Sequence, residues 1–166
     1  STNEDKAYSF KVVANDVDQN DEIALKSIEK PSWLSFDDKS GTLSGTPSND
    51  NVGKHLIKIR VIDKSGSFTD QTFQLEVINT NDAPIITSTA ILDIMVEDNY
   101  EYKFKASDID LFDELTFGSQ NLPGWLSFDT TSGLLSGKPN TSSNVSNTIK
   151  LSVTDKAGDK TEQNYI

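Results

Sequence analysis

Shifted by 92 positions, the distance from Trp33 to Trp125, the chain falls on itself. Pro31-Ser32-Trp33-Leu34-Ser35-Phe36-Asp37 lies over Pro123-Gly124-Trp125-Leu126-Ser127-Phe128-Asp129, and Ser40-Gly41-Thr42-Leu43-Ser44-Gly45-Thr46-Pro47 lies over Ser132-Gly133-Leu134-Leu135-Ser136-Gly137-Lys138-Pro139. Asp16-Val17-Asp18 meets Asp108-Ile109-Asp110, Asp63-Lys64-Ser65-Gly66 meets Asp155-Lys156-Ala157-Gly158, and Glu4-Asp5 meets Glu97-Asp98 with a slip of one residue. Self-similarity of this kind means tandem copies of one small domain rather than a single large one. The predicted units are residues 1–82 and 83–166, with residues 79–84 as the linker. The second copy stops opposite Gln74, so its last strand is expected to be cut short. Ser1-Thr2-Asn3 does not begin a signal peptide, and the chain reads as a piece of something longer.

Within each copy the apolar residues keep a period of two. Tyr8, Phe10, Val12 and Ala14 alternate with polar residues, as do Tyr100, Tyr102, Phe104 and Ala106, then His55, Ile57, Ile59 and Val61, then Ile149, Leu151 and Val153. That is the period of a half-buried strand, and no window of helical length carries a 3.6 repeat. Asp37 to Gly41 and Asp129 to Gly133 are predicted hairpin turns, with the glycine free to take positive φ. About seven short strands in roughly 85 residues predict a two-sheet antiparallel sandwich.

Between the copies lies Asn79-Thr80-Asn81-Asp82-Ala83-Pro84. Asn and Asp favour turns, and Pro84 fixes its own φ and pushes Ala83 towards extended backbone, which makes a short, stiff joint. Its side-chain oxygens suit a hard cation, so it is either an ordinary polar turn or a calcium-binding linker. A net charge of −11, from 26 acidic against 15 basic residues, argues against nucleic acid and anionic membrane as partners. With no cysteine, disulfides, thiolate metal sites and cysteine catalysis are excluded. No apolar run reaches the roughly 18 residues of a membrane span, so no membrane insertion is expected of these residues.

The pattern W-L-S-F-D-x-x-S-G-x-L-S-G-x-P, then an alternating strand closed by Asp, then N-x-N-D-A-P, resembles the dystroglycan-type cadherin-like repeats, relatives of cadherin ectodomain repeats found in secreted and surface proteins of bacteria. The resemblance covers nearly the whole chain, twice. It implies an all-β chain of two tandem seven-stranded Greek-key sandwiches of cadherin or immunoglobulin type, with Ca²⁺ held at the joint. The implied ligands are Glu4 from the first copy, Asn79, Asn81 and Asp82 from the linker, and Asp108, Asp110 and Asp155 from the second copy. Asp50 is a weaker candidate, because the acidic pair that cadherins carry in that region is here reduced to one carboxylate within Thr46-Pro47-Ser48-Asn49-Asp50. Asn79 stands where cadherins usually have Asp, which removes another charge. Asp16, Asp18 and Asp63 occupy the equivalent places of an incomplete N-terminal site, and Glu97 is expected to serve a joint below the second copy.

Physical chemistry points the same way. Two carboxylates about 5 Å apart repel by about 3 kcal/mol at an effective dielectric near 20, and a divalent cation reverses that sign. Calcium takes six to eight oxygens in loose geometry, whereas zinc wants His or Cys, of which the chain has one and none. Trp33 and Trp125 are expected in the core and the lone His55 half-buried on a strand. The sequons Asn140-Thr141-Ser142 and Asn144-Val145-Ser146 mark an exposed loop. No nucleophile–base–orienter set is present, so no enzyme is expected. The functional expectation is an extracellular, calcium-stiffened spacer or adhesion unit, with self-association in calcium. The alternative is a polysaccharide-binding module, for which Tyr100, Tyr102 or Phe112 are the candidate sugar platform.

Overall fold

The structure, a computed structural model, describes residues 1–17, 22–143 and 146–166. It divides into two compact units, Ser1–Thr80 and Asn81–Ile166. Both are β-rich, and their only helical segments among the described residues are 3₁₀ turns at Asn49–Asn51 and Thr141–Ser143.

The first unit runs β1 (Thr2–Asn3), β2 (Tyr8–Lys11), β3 (Ala24–Glu29), β4 (Leu34–Asp37), β5 (Thr42–Gly45), β6 (Gly53–Ile62) and β7 (Phe68–Ile78). One sheet has the order β1-β7-β6-β3 and the other β2-β5-β4. Pairings are antiparallel except that β1 runs parallel to the end of β7, Thr2 opposite Val77 and Asn3 opposite Ile78. The core is drawn from both sheets: Leu34 and Leu43 from one, Ile57, Ile59 and Leu75 from the other, closed by Val12. Each such side chain contributes about 1.5–3 kcal/mol when taken out of water. Trp33 packs partly buried against this core, edge-on to Tyr8 at 6.3 Å. His55 is half-buried, and its Nε2 lies 2.6 Å from the Asn51 carbonyl oxygen.

Strand β2 ends at Lys11 rather than reaching Ala14, and Phe10 is left largely exposed, 5.7 Å from Phe73. In the second copy the matching stretch resumes as a strand at Ala106 because Ile85–Ile86 pairs with it. Among the described residues Ala14 has no such partner strand.

The second unit runs β8 (Ile85–Ile86), β9 (Tyr100–Lys103), β10 (Ala106–Ser107), β11 (Thr116–Gln120), β12 (Leu126–Asp129), β13 (Leu134–Gly137), β14 (Ile149–Thr154) and β15 (Lys160–Tyr165). Its sheets are β12-β13-β9 and β11-β14-β15, with β8 and β10 as a two-stranded ribbon. Tyr100, Tyr102, Phe104, Leu126, Leu135, Ile149, Leu151 and Val153 form the core, with Trp125 edge-on to Tyr100 at 6.1 Å.

The repeated motif has a steric basis. Gly41 and Gly133 close the β4–β5 and β12–β13 turns at φ 69° and 71°, where a side chain is strained. A Cβ on Gly45 would sit 2.2 Å from the Trp33 carbonyl oxygen, and one on Gly137 2.0 Å from that of Trp125. The tryptophan and the glycine are therefore one packing device, used twice.

Candidate metal centre

In the first unit, the chain leaves β1 through Glu4, whose N–H donates to the Ile78 carbonyl at 3.0 Å. Glu4 is fully buried. Its Oε1 accepts the Thr80 N–H at 2.6 Å, while Oε2 has no hydrogen-bond partner among the described residues. Asp5 then takes φ 56° and donates its N–H to the Pro47 carbonyl. Asp50 is exposed on the 3₁₀ turn, and Asn79 is exposed just past β7. Asp63 is spent on its own turn, its Oδ1 accepting from the Ser65 hydroxyl and the Ser67 N–H at 2.8 Å each. Asp16 is exposed, and Asp18 lies outside the described residues.

The backbone corrects one sequence alignment. Glu97 has φ 72° and donates its N–H to the Pro139 carbonyl, as Asp5 does to Pro47. Glu97 is thus the counterpart of Asp5, and the place of Glu4 falls to Val96 in the second copy. Glu97 pairs with Lys138 at 3.2 Å with both side chains mostly in solvent, so it does not repeat the buried setting of Glu4.

In the second unit the acids gather. Asp108, Asp113 and Asp155 each offer a carboxylate oxygen within 4.8 Å of the others, and Asp82 and Asp110 do the same as a pair. Three loops deliver them: the entry to the unit, the loop after β10, and the turn after β14. The Asp82 N–H donates to Asp110 Oδ2 at 2.8 Å, and the Asp110 N–H donates to Asp108 Oδ1 at 2.9 Å. Asp113 Oδ1 accepts the N–H groups of Glu114 and Lys156. Asp155 is buried, and its Oδ1 accepts the Gly158 and Asp159 N–H groups at 2.6 and 2.8 Å. The Asn81 amide donates to Asp155 Oδ2 at 2.9 Å and to Asp159 Oδ2 at 2.8 Å. The Asn81 amide and these backbone donors hold the Asp155 carboxyl below its ordinary pKa. Asp108 Oδ2, by contrast, is buried with no hydrogen-bond partner among the described residues.

The donor set is oxygen throughout, and His55, the lone histidine, lies on β6 of the first unit. Carboxylates without imidazole or thiolate fit calcium better than zinc, and an orphaned buried carboxylate oxygen is what a cation would satisfy. Sequence reading missed Asp113 and Asp159. The signal for Asp113 was present: Asp-x-Asp-x-x-Asp-Glu occurs at residues 16–22 and again at 108–114. Asp159 gives no such signal, because Ser67 stands at the matching position.

The aromatic candidates need correction. Tyr100 and Tyr102 are core residues at 4% and 3% exposure, their hydroxyls bonded to the Ile91 carbonyl and the Gln163 side chain. They offer no face to a sugar. Phe112 is 94% exposed, at φ 68° beside the acid cluster. Asn140 is exposed, and the second sequon begins outside the described residues.

Known proteins bear this fold out. A curated relative, the "Serine-rich adhesin for platelets" of Staphylococcus aureus, is 28% identical over 136 residues, 81% of this chain but only 6% of that protein's length. Mouse cadherin-23 repeats EC22-24 match at TM-score 0.60 and 16% identity, over 94% of this chain and 56% of that one. Human mucin-like protocadherin EC1-2 matches at TM-score 0.56 and 16% identity, over 99% and 90%. The He_PIG family model, "Putative Ig domain", matches residues 1–78 and again 83–166, so the chain belongs to the He_PIG family of immunoglobulin-like domains and carries two of them.

Proposed function

We propose that the chain is a calcium-binding tandem of dystroglycan-type cadherin-like domains, a non-catalytic spacer or adhesion unit of a secreted or surface protein. The observation that carries the reading is the gathering of Asp108, Asp113 and Asp155 at one end of the second unit, with Asp108 Oδ2 buried and without a hydrogen-bond partner among the described residues. Asp82 and Asp110 add carboxylate oxygens from the same unit, and the Asn81 side chain holds Asp155 Oδ2 through its amide N–H. The family resemblance adds Asn79 and the buried Glu4, whose Oε2 also lacks a partner among the described residues.

Calcium neutralises the mutual repulsion of these carboxylates and satisfies the orphaned oxygens. The lone pairs already taken by backbone N–H groups fix the carboxylates in place beforehand, so ordering them on binding costs less. Extracellular calcium modules bind in the range of about 10⁻⁴ to 10⁻³ M, which is filled outside a cell and empty in cytosol. Likeness to an adhesin supports the extracellular setting. Filling the site tethers the linker residues Asn81 and Asp82 to the second unit and so restricts the joint.

The test is thermal unfolding with calcium and with chelator. Calcium at a few millimolar should raise the midpoint of the native chain and leave Asp108→Asn/Asp155→Asn unmoved. Equal midpoints for the native chain in both conditions would remove calcium from the account.

A further inference from the structure

The loop after β10 turns its residues the wrong way round for water. Residues 108–113 read Asp-Ile-Asp-Leu-Phe-Asp. Asp110 is only 8% exposed, while Ile109 is 53%, Leu111 77% and Phe112 94% exposed. Burial ordinarily sorts these residue types in the opposite sense. The two copies agree at the first apolar position, where Val17 stands in place of Ile109 and is 97% exposed. They part at the tip, because the repeat has Gln19 and Asn20 where the second copy has Leu111 and Phe112.

Phe112 is costly in its backbone as well. The Asp113 N–H faces the Asp110 carbonyl at 3.4 Å, so residues 110–113 make a turn with Phe112 in its third place at φ 68°. That place suits Gly or Asn, and a bulky side chain there is strained. Asn20 is what the first copy's sequence offers at the same position. A side chain that strains the turn and gains no burial within its own fold points to something that meets it from outside.

The surroundings narrow what that is. Two side chains on a convex tip fall far short of the roughly 1,200–2,000 Å² that a specific protein interface buries, which disfavours a folded partner or a second copy. Asp82, Asp108, Asp110, Asp113, Asp155 and Asp159 gather in this part of the unit and outnumber the two charges of a calcium ion. Anionic headgroups, uronic acids and acidic peptides are therefore repelled whether or not calcium is bound. A neutral sugar answers both features. Its C–H face lies on the negative π face of an aromatic ring, and its hydroxyls donate to carboxylates, which only accept. Glu114, the next residue in the loop, is exposed.

We infer that Leu111 and Phe112 form a platform for a neutral polysaccharide, with a pyranose ring over Phe112, Leu111 beside it and sugar hydroxyls directed to the loop's carboxylates. The platform goes beyond the calcium reading and does not require it. Calcium, where bound, holds the loop that carries the platform, so binding in calcium is at least as tight as in chelator.

The test is NMR titration of the full chain with soluble mannan, dextran and, as an anionic control, polygalacturonate, in calcium and in chelator. Saturable shifts centred on residues 111–114 are expected with a neutral polymer and not with polygalacturonate. Phe112→Asn should weaken that binding by about tenfold or more while its melting temperature stays equal or rises, because the strain is relieved. Phe112→Trp should retain it. No shift with either neutral polymer, undiminished binding to Phe112→Asn, or equal binding of polygalacturonate would each overturn the assignment. So would self-association, or capture by phosphatidylserine vesicles, that Phe112→Asn removes. The heat of calcium binding to Phe112→Asn, expected to equal that of the native chain, reads the metal separately and keeps the two failures distinct.

Discussion

At the scale of single residues, the carboxylates divide by what already bonds them. Asp63 has given its Oδ1 to its own turn, whereas Asp108 keeps a buried oxygen without a hydrogen bond among the described residues. Removing Asp110, which takes the Asp82 N–H and pairs with its carboxylate, should abolish most of the calcium-induced rise in melting temperature. Asp50→Ala, on an exposed 3₁₀ turn, should leave that rise nearly intact, and melts with and without calcium compare the two directly. Asp113→Asn should behave like Asp110→Ala. The acids at 108, 110 and 155 are legible in the sequence because they repeat in order, while Asp159 became visible only once the fold set it beside Asn81. Glu97 misled because acid identity was aligned instead of backbone conformation. Gly45 and Gly137 make a different test. Alanine at either meets a carbonyl oxygen at about 2 Å, and backbone must move, so urea unfolding should show a loss of roughly 2 kcal/mol or more.

The strands were legible where one face is buried, and β6, β12 and β14 show it. Alternation failed where burial comes from the partner strand instead of the residue's own pattern, as for Phe10 and Ala14. It also gave no hint of the parallel contact between β1 and β7, since two residues carry no period. On the outer face of β6–β7, Asp70 takes Arg60 through two nitrogens at 2.7 and 3.0 Å and Lys58 at 3.1 Å, with Arg60 lying over the Phe68 ring. The Arg60 guanidinium, then Lys58, hold the Asp70 carboxyl far below its ordinary pKa. Asp37 and Asp129 are likewise lowered, first by the backbone N–H of Lys39 and by the Ser132 hydroxyl respectively. A carboxyl whose pKa is depressed by folding contributes stability that is present above its unfolded value, near 3.9, and lost as pH falls towards the folded one. Chelated protein should therefore be flat in stability from neutral pH to about 5 and lose it steeply below about 4. Asp70→Asn should start lower by a few degrees and lose less on acidification, which melts across that range will read.

For the molecule as a whole, the proposed calcium site belongs to an acidic chain with two immunoglobulin-like units and a short polar linker. Sedimentation velocity should show a narrower, concentration-independent or self-associating species in calcium and a broader shape distribution in chelator. No helix among the described residues is long and apolar enough to cross a membrane, and the adhesin relative matches over only 6% of its own length. What the second unit's acids hold is the question on which the functional account turns. Calorimetric titration of the chain with calcium at neutral pH and moderate salt addresses it most directly. A saturating heat with a dissociation constant of about 10⁻⁴ to 10⁻³ M, lost in Asp108→Asn/Asp155→Asn, is the expected result. The absence of any heat up to several millimolar, in protein that is folded and monodisperse, would contradict it.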